Sequence, residues 1–478
     1  MGNILIGREE EQRILQRALD SPDAEMVAVI GRRRVGKTFL IKSFYKKKIL
    51  FEITGVQNSS PREQLTLFNN VLNEASNATI PLPVPQDWLE AFNRLSIFLE
   101  SKLHRRKKSV IFFDELPWLA AQRSGFVKAL GYFWNSWAVN QNIVIVICGS
   151  AASWMIKNII NNTGGLYNRV TKRIALQPFT LAETKLFLNS RGVSLPHYHL
   201  VQIYMAMGGI PHYLKEVEAG KSATQIIDQL CFSQNGLLRD EFSRLYPALF
   251  VNAENHLNII RILATKKYGL TRQEIIQTGK LPNGGGLTKT LEELIQSGFV
   301  TSFQPFGKKI KDTLFRLTDE YSLFYLQFIE QYKNEGKQTW HLLSQTQSYK
   351  TWSGYAFENI CLKHIPQIKK ALGISGVFST TSSFYKKGDK QEKGCQIDLV
   401  INRNDQVINL CEIKFYHEPF CITKKYAENL RNKISIFRNT TKTRKHLVLT
   451  LITTFGLKPN QHSIDLSPQS VTMDALFE

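Results

Sequence analysis

Cysteine is scarce in this chain, with six among 478 residues and no C-x-x-C pair. That excludes a disulfide scaffold and a cysteine zinc site, and fits buried free thiols in a reducing cytoplasm. Long hydrophobic runs are missing too. Ile143-Val-Ile-Val-Ile-Cys148 is strand-sized and far short of a bilayer span, so no membrane partner is expected. No secretory leader is expected either: Glu9, Glu10 and Glu11 come early, and no apolar stretch precedes them. Acidic residues are few, 40 against 61 Lys and Arg, a formal charge of +21. The imbalance points to a polyanion, nucleic acid ahead of an anionic surface. A lysine-rich composition that serves only solubility would give the same count.

What is present is an ordinary soluble composition, 43% hydrophobic and 21% charged, in a chain long enough for two to four domains. Residues 1–180 alternate strand-like and helix-like segments, with strands expected at 26–30, 49–53, 109–113, 143–148 and 172–176. This is an α/β pattern with a parallel sheet. Pro81-Leu-Pro-Val-Pro85 reads as a loop before a helix at 87–103. Gly31-Arg-Arg-Arg-Val-Gly-Lys-Thr38 then fits G-x-x-x-x-G-K-[ST] at every fixed position. Gly31 and Gly36 let the backbone through Arg32, Arg33, Arg34 and Val35 curl, so that its N–H groups face phosphates. Lys37 reaches the β- and γ-phosphates of ATP, Thr38 is placed to ligate Mg²⁺, and the following helix presents its positive end. Ser109-Val-Ile-Phe-Phe-Asp114-Glu115 is an apolar strand ending in two carboxylates. Alone, that is a strand running into a turn. Beside the phosphate loop, Asp114 becomes a Mg²⁺ ligand and Glu115 the group that polarises the attacking water.

Residues 181–250 read as a helical lid, interrupted by Gly208-Gly-Ile-Pro-His-Tyr-Leu214. Residues 251–333 suggest a winged helix-turn-helix and a linker helix. Helices are expected over 254–265, from Thr271, and over 287–296, the last as recognition helix, with a hairpin wing at 299–303 and 313–317. Lys289 is the only basic residue on that last helix, so the module serves equally as a protein joint. An aromatic helix (321–333) and a polar stretch (334–350) lead to a final domain, 351–478. There Asp398 opens one strand, and Glu412 and Lys414 lie two apart on the next, hence on one face. With Glu358 on a preceding helix, Asp398 and Glu412 form a candidate Mg²⁺ set, and Lys414 is placed to help deprotonate a water for phosphodiester attack. A cross-strand salt bridge is the plainer meaning of Glu-x-Lys. Residues 424–445 carry eight Lys and Arg against Glu428, either a backbone-tracking helix or a solvated basic face.

With these residues in view, the chain resembles the archaeal-type ATPase family, in the STAND branch of AAA+-like P-loop NTPases, over nearly its whole length. The marks are Ile6-Gly-Arg-Glu-Glu-Glu11, the phosphate loop with its triple arginine, Phe113-Asp-Glu115, Cys148-Gly-Ser150 and Gly209-Ile-Pro211. Residues from 351 are similar to a C-terminal domain of PD-(D/E)xK nuclease-like (restriction-endonuclease-like) fold. The motif falls on Asp398, Glu412 and Lys414, with Gln-Ile-Asp in place of Pro-Asp. The resemblance implies that Ser150 reads the γ-phosphate, that Arg169 is a transition-state arginine with Arg173 second, and that Pro211 marks the lid turn near the nucleotide. It implies an ATPase with DNA as partner, able to form a homo-oligomer if the arginine is supplied in trans. A STAND switch with a catalytically silent terminal domain is the alternative.

Overall fold

The computed structural model describes residues 5–77, 80–104, 107–121, 123–250, 252–336, 338–388 and 394–478. Two compact units are present: 1–178 with 249–251 and 292–298, and 179–248 with 252–291 and 299–478.

In the first unit, β1 (Glu25–Ile30), β2 (Ile49–Thr54), β3 (Ser109–Asp114), β4 (Ile143–Gly149) and β5 (Lys172–Ala175) form a sheet of order β2-β3-β4-β1-β5. Every neighbouring pair is parallel. Parallel sheets are covered on both faces, which is why β3 and β4 are runs of Val, Ile and Phe buried at every position. Ser60 and Glu63 form a capping box and Pro61 takes the first turn of the helix Pro61–Ser76, while Asp87 caps the helix Trp88–Glu100. These helices bury Phe68, Trp88 and Phe92 with Phe51, Phe113, Phe126 and Phe133 on one face of the sheet. The order sets β4 between β1 and β3, so three strand ends stand side by side at the carboxyl edge.

The second unit opens on helices Leu181–Ser190, His197–Met207, Pro211–Leu214, Ala223–Cys231 and Glu241–Leu245, as the sequence predicts for 181–250. Next come helices Ala253–Ala264, Arg272–Gly279 and Gly285–Gln296, the last of which passes from the second unit into the first at residue 292, and a small antiparallel sheet of β6 (Leu270–Thr271), β7 (Val300–Phe303) and β8 (Leu314–Leu317) in the order β6-β8-β7. Thr271 caps its helix through Glu274, the pairing expected from the sequence. Last is a sheet of β9 (Ser379–Lys386), β10 (Cys395–Arg403), β11 (Val407–Lys414), β12 (His446–Thr453) and β13 (Gln469–Thr472), in the order β13-β12-β11-β10-β9. Strands β9 to β11 are antiparallel, whereas β12 and β13 run parallel to β11. The helix Lys424–Thr441 packs Phe437 on Phe384, Ile397, Val400 and Leu410.

Two expectations change. The polar stretch 334–350 contains the helix Thr339–Leu343, and the helix that carries Glu358 begins within it, at Gln347. Trp340, Tyr349 and Trp352 are the reason: they bury themselves with Phe232, Phe324 and Phe328 in one aromatic cluster. All six cysteines are free, and five are buried, but Cys421 is exposed. Among the described residues no helix is long and apolar enough to cross a membrane.

His364 ties the helix Gln347–Lys363 to the start of the helical segment. Its Nε2 accepts the Leu181 N–H at 3.1 Å, which makes Nδ1 the protonated nitrogen, donating to the Ile360 carbonyl at 2.8 Å. Burial lowers its pKa from 6.5 to about 4, and neighbouring Lys363 adds to the depression. The unfolded chain therefore binds a proton that the folded one refuses between those values. Stability is full above about pH 6.5 and falls by roughly 3 kcal/mol towards pH 4. Denaturant titration at pH 7 and pH 4.5 is expected to show this loss, and His364→Asn to flatten it.

Candidate functional site

The phosphate loop begins where β1 ends. Leu176 donates its N–H to the Ile30 carbonyl at 2.7 Å, and its own carbonyl oxygen lies 2.5 Å from where a Cβ on Gly31 would stand. Only glycine fits there. The backbone then passes through left-handed Arg34 (φ 73) and Gly36 (φ 92) into the helix Lys37–Tyr45. Such a curl gathers successive N–H groups around an anion. Lys37 is buried, its Nζ donating to the carbonyls of Gly31 at 2.9 Å and Arg32 at 3.0 Å. Arg8, from the amino-terminal box, donates from Nη2 to the Val35 carbonyl at 3.3 Å and so braces the loop from outside.

Across the sheet edge, Thr38 Oγ1 donates to Asp114 Oδ2 at 2.6 Å, and Asp114 Oδ1 accepts the Glu115 N–H at 2.9 Å. Glu115 itself is left-handed (φ 46), a conformation that non-glycine residues keep chiefly where a site demands it. Its Oε2 accepts both the Ser150 N–H at 3.1 Å and the Ser150 hydroxyl at 2.8 Å. Behind them burial pushes the Cys148 thiol well up, with the charge of Asp114 adding to it, so this cysteine is an inert packing group. Gly31 to Thr38, Asp114, Glu115 and Ser150 thus form one constellation. The hydroxyl and carboxylate of Thr38 and Asp114 are hard oxygen donors that suit Mg²⁺, and the glycine-lined curl with its lysine suits a triphosphate.

Three expected residues lie apart from these bonds. Arg169 is an exposed side chain in the turn before β5, its N–H donating to the Leu166 carbonyl at 3.1 Å; Arg173 is exposed on β5. Pro211 opens the helix Pro211–Leu214 in the second unit, where a Cβ on neighbouring Gly209 would fall 1.9 Å from the Phe179 carbonyl oxygen. Sequence reasoning missed Trp118, whose ring centroid lies 5.7 Å from the Arg33 guanidinium. An aromatic three residues past the acid was the only signal.

Residues 5–217 match a family described as an ATPase domain predominantly from Archaea. This segment is similar to that family over fewer than half of the residues of the chain. An uncharacterised protein of Methanocaldococcus jannaschii is 24% identical over 440 residues, covering 90% of this chain and 92% of that protein. An uncharacterised ATP-binding protein of the same organism is 42% identical over 45 residues, which is 9% of this chain and 76% of that protein. Among solved structures, the Walker-type ATPase of Pyrococcus abyssi aligns with a TM-score of 0.50 at 17% identity, over 68% of this chain and 96% of that one. At that identity the likeness speaks for the fold, the five-stranded parallel sheet of the first unit included.

Beyond the matched segment, the C-terminal acids are placed as follows. Asp398 lies at an irregularity in the β9–β10 pairing, and its Oδ2 accepts the Ile413 N–H at 3.0 Å. Glu412 is buried, with Oε1 2.6 Å from Lys433 Nζ and Oε2 3.8 Å from Lys414 Nζ. Tyr426 donates its hydroxyl to Glu412 Oε2 at 3.3 Å. Glu358 is buried too and pairs with Arg316 of β8, Nη1 to Oε1 at 2.8 Å. Burial raises both glutamates above the usual range and the charge of Asp398 adds to it, against the opposing pull of Arg316 on Glu358 and of Lys433 and Lys414 on Glu412. Among the described residues no three His, Cys, Asp or Glu side chains stand together so as to hold a metal ion. Two members of the expected Mg²⁺ set, Glu358 and Glu412, face cations of the chain, Arg316 and Lys433. Arg316 carried no sequence signal, and Lys433 was legible only as one of a basic run.

Gly31→Ala is expected to destabilise the first unit by roughly 1–3 kcal/mol, since the added carbon must displace backbone rather than a side chain. It should also abolish nucleotide binding. Thermal denaturation and nucleotide titration check both, and an unchanged melting temperature would reject the close approach.

Proposed function

We propose that this protein binds and hydrolyses ATP with Mg²⁺ at the carboxyl edge of β1, β3 and β4, and that nucleotide state alters how its second unit holds DNA. The observation that carries the reading is the continuous set of bonds from Lys37 and Thr38 through Asp114 and Glu115 to Ser150. The backbone of residues 31–36 wraps the phosphates. Lys37 exchanges two neutral carbonyls for phosphate oxygens, which are stronger, charge-assisted partners. Mg²⁺, held by Thr38 and Asp114, supplies charge neutralisation at the phosphates. Glu115 orients the attacking water once it leaves Ser150, and Ser150 in turn reads the γ-phosphate. Arg169 is the candidate transition-state arginine, delivered within the chain or from a second copy.

For the rest of the chain the reading is a helical lid at 181–250 with Pro211 at its turn, a winged helix-turn-helix and linker at 251–333, and a PD-(D/E)xK-like domain at 351–478. DNA is favoured as partner by the formal charge of +21 and by the exposed Lys424, Lys425, Arg431 and Arg438 on the helix Lys424–Thr441. A cytoplasmic setting accords with six unpaired cysteines.

Calorimetry is expected to show ATP binding by the parent protein and none by Lys37→Ala, whose circular dichroism stays unchanged. In the same pair, ATP should shift the affinity for duplex DNA only in the parent. Undiminished nucleotide affinity in Lys37→Ala refutes the site.

A second reading, Mg²⁺-dependent cleavage, is favoured by the adjacency of Glu412 and Lys414 on β11 beside Asp398 on β10. It requires nicking of DNA that Asp398→Ala removes. Intact single-stranded, duplex and branched DNA, with and without ATP, would leave the terminal domain a binding module.

A further inference from the structure

The C-terminal acids and Mg²⁺ do not fit one another in this arrangement, and the misfit has a specific cause. Glu358, Asp398 and Glu412 bring three carboxylates to one end of β10 and β11, and Arg316, Lys433 and Lys414 bring three cations to meet them. Of these, Lys414 belongs to the motif and Lys433 to the helix Lys424–Thr441. Arg316 comes from elsewhere, from β8 of the small three-stranded sheet. Its guanidinium is buried, lies 4.6 Å from the Tyr355 ring centroid, and donates to the Tyr355 hydroxyl as well as to Glu358. Lys267 and Tyr268, just before β6, also feel the charge of Glu358.

The loop between β7 and β8 is also anchored. Phe306 donates its N–H to the Ser383 carbonyl at 2.8 Å and packs on Phe437, with ring centroids 5.2 Å apart, inside the core of the terminal sheet. The loop that leads into the strand of Arg316 is therefore packed against that core.

We infer that Arg316 is a built-in counter-cation: β8 plugs the acid group and, with Lys433, keeps a divalent metal out of it. A metal entering against satisfied carboxylates would meet a surrounding whose negative charge is already neutralised, in a low dielectric where one charge matters greatly. Removing either cation leaves a carboxylate uncompensated and hungry for metal. The inference concerns the acids of the second reading but is measured without DNA cleavage or ATP, so the two fail separately.

The test is calorimetric titration of the nucleotide-free full chain with Mn²⁺ alone, alongside thermal denaturation with and without Mn²⁺. The parent and Asp398→Asn are expected to behave alike, with no uptake attributable to these acids. Arg316→Met is expected to gain Mn²⁺ affinity by at least roughly tenfold and to be stabilised by the ion, both effects disappearing when Asp398→Asn is added. Lys433→Met alters a half-buried side chain and decides the matter if Arg316→Met does not fold. Uptake by the parent that Asp398→Asn abolishes would overturn the proposal, as would a folded Lys433→Met no better at binding Mn²⁺ than the parent.

Discussion

The hydrogen bond from Thr38 to Asp114 joins two strand ends that are not neighbours in the sheet. β4 lies between β1 and β3, so the bond spans the carboxyl edge above it, and Ser150, first residue after β4, fills the space beside Glu115. Each partner depends on the others. Thr38 is held by the helix that Gly36 releases, Asp114 by a wholly buried strand, and Glu115 by a left-handed backbone that points its carboxylate back to Ser150. Preorganisation of this kind is what phosphoryl transfer needs from a protein, which supplies positioning and charge rather than covalent chemistry.

Charge compensation governs the second unit in the same way that loop geometry governs the first. A buried carboxylate without a partner is too unfavourable to persist, so every acid expected at the terminal site has found a donor or a cation. Asp398 takes a backbone N–H, Glu412 takes Lys433 and Tyr426, and Glu358 takes Arg316. Aromatic packing does the remaining work of consolidation, from the Trp340–Trp352 cluster to the stacking of Tyr198 on Phe415 at 5.2 Å. Here the helical segment touches the terminal domain through particular side chains, His364 on Leu181 among them.

Much of the first unit was legible because its chemistry is local. Gly31, Gly36, Lys37 and Thr38 are spaced by the loop they form, and β3 announces Asp114 by an apolar run that ends in acids. Capping signals were equally plain, Thr271 with Glu274 above all. The aromatic helices at 339–363 were harder, since their polar neighbours mask a burial pattern that only the partners Phe232, Phe324 and Phe328 complete.

By itself the amino-acid sequence determined the phosphate loop, the paired acids of β3, the positive charge and the run of strands and helices, all set by short-range spacing or by composition. Only the tertiary structure decided the strand order that seats Ser150 against Glu115, and the arrival of Arg316 beside Glu358 from 42 residues away. The physical reason is common to both. Which strand lies beside which, and which cation meets which buried acid, depends on long-range packing and desolvation, and neither leaves a periodic trace along the chain.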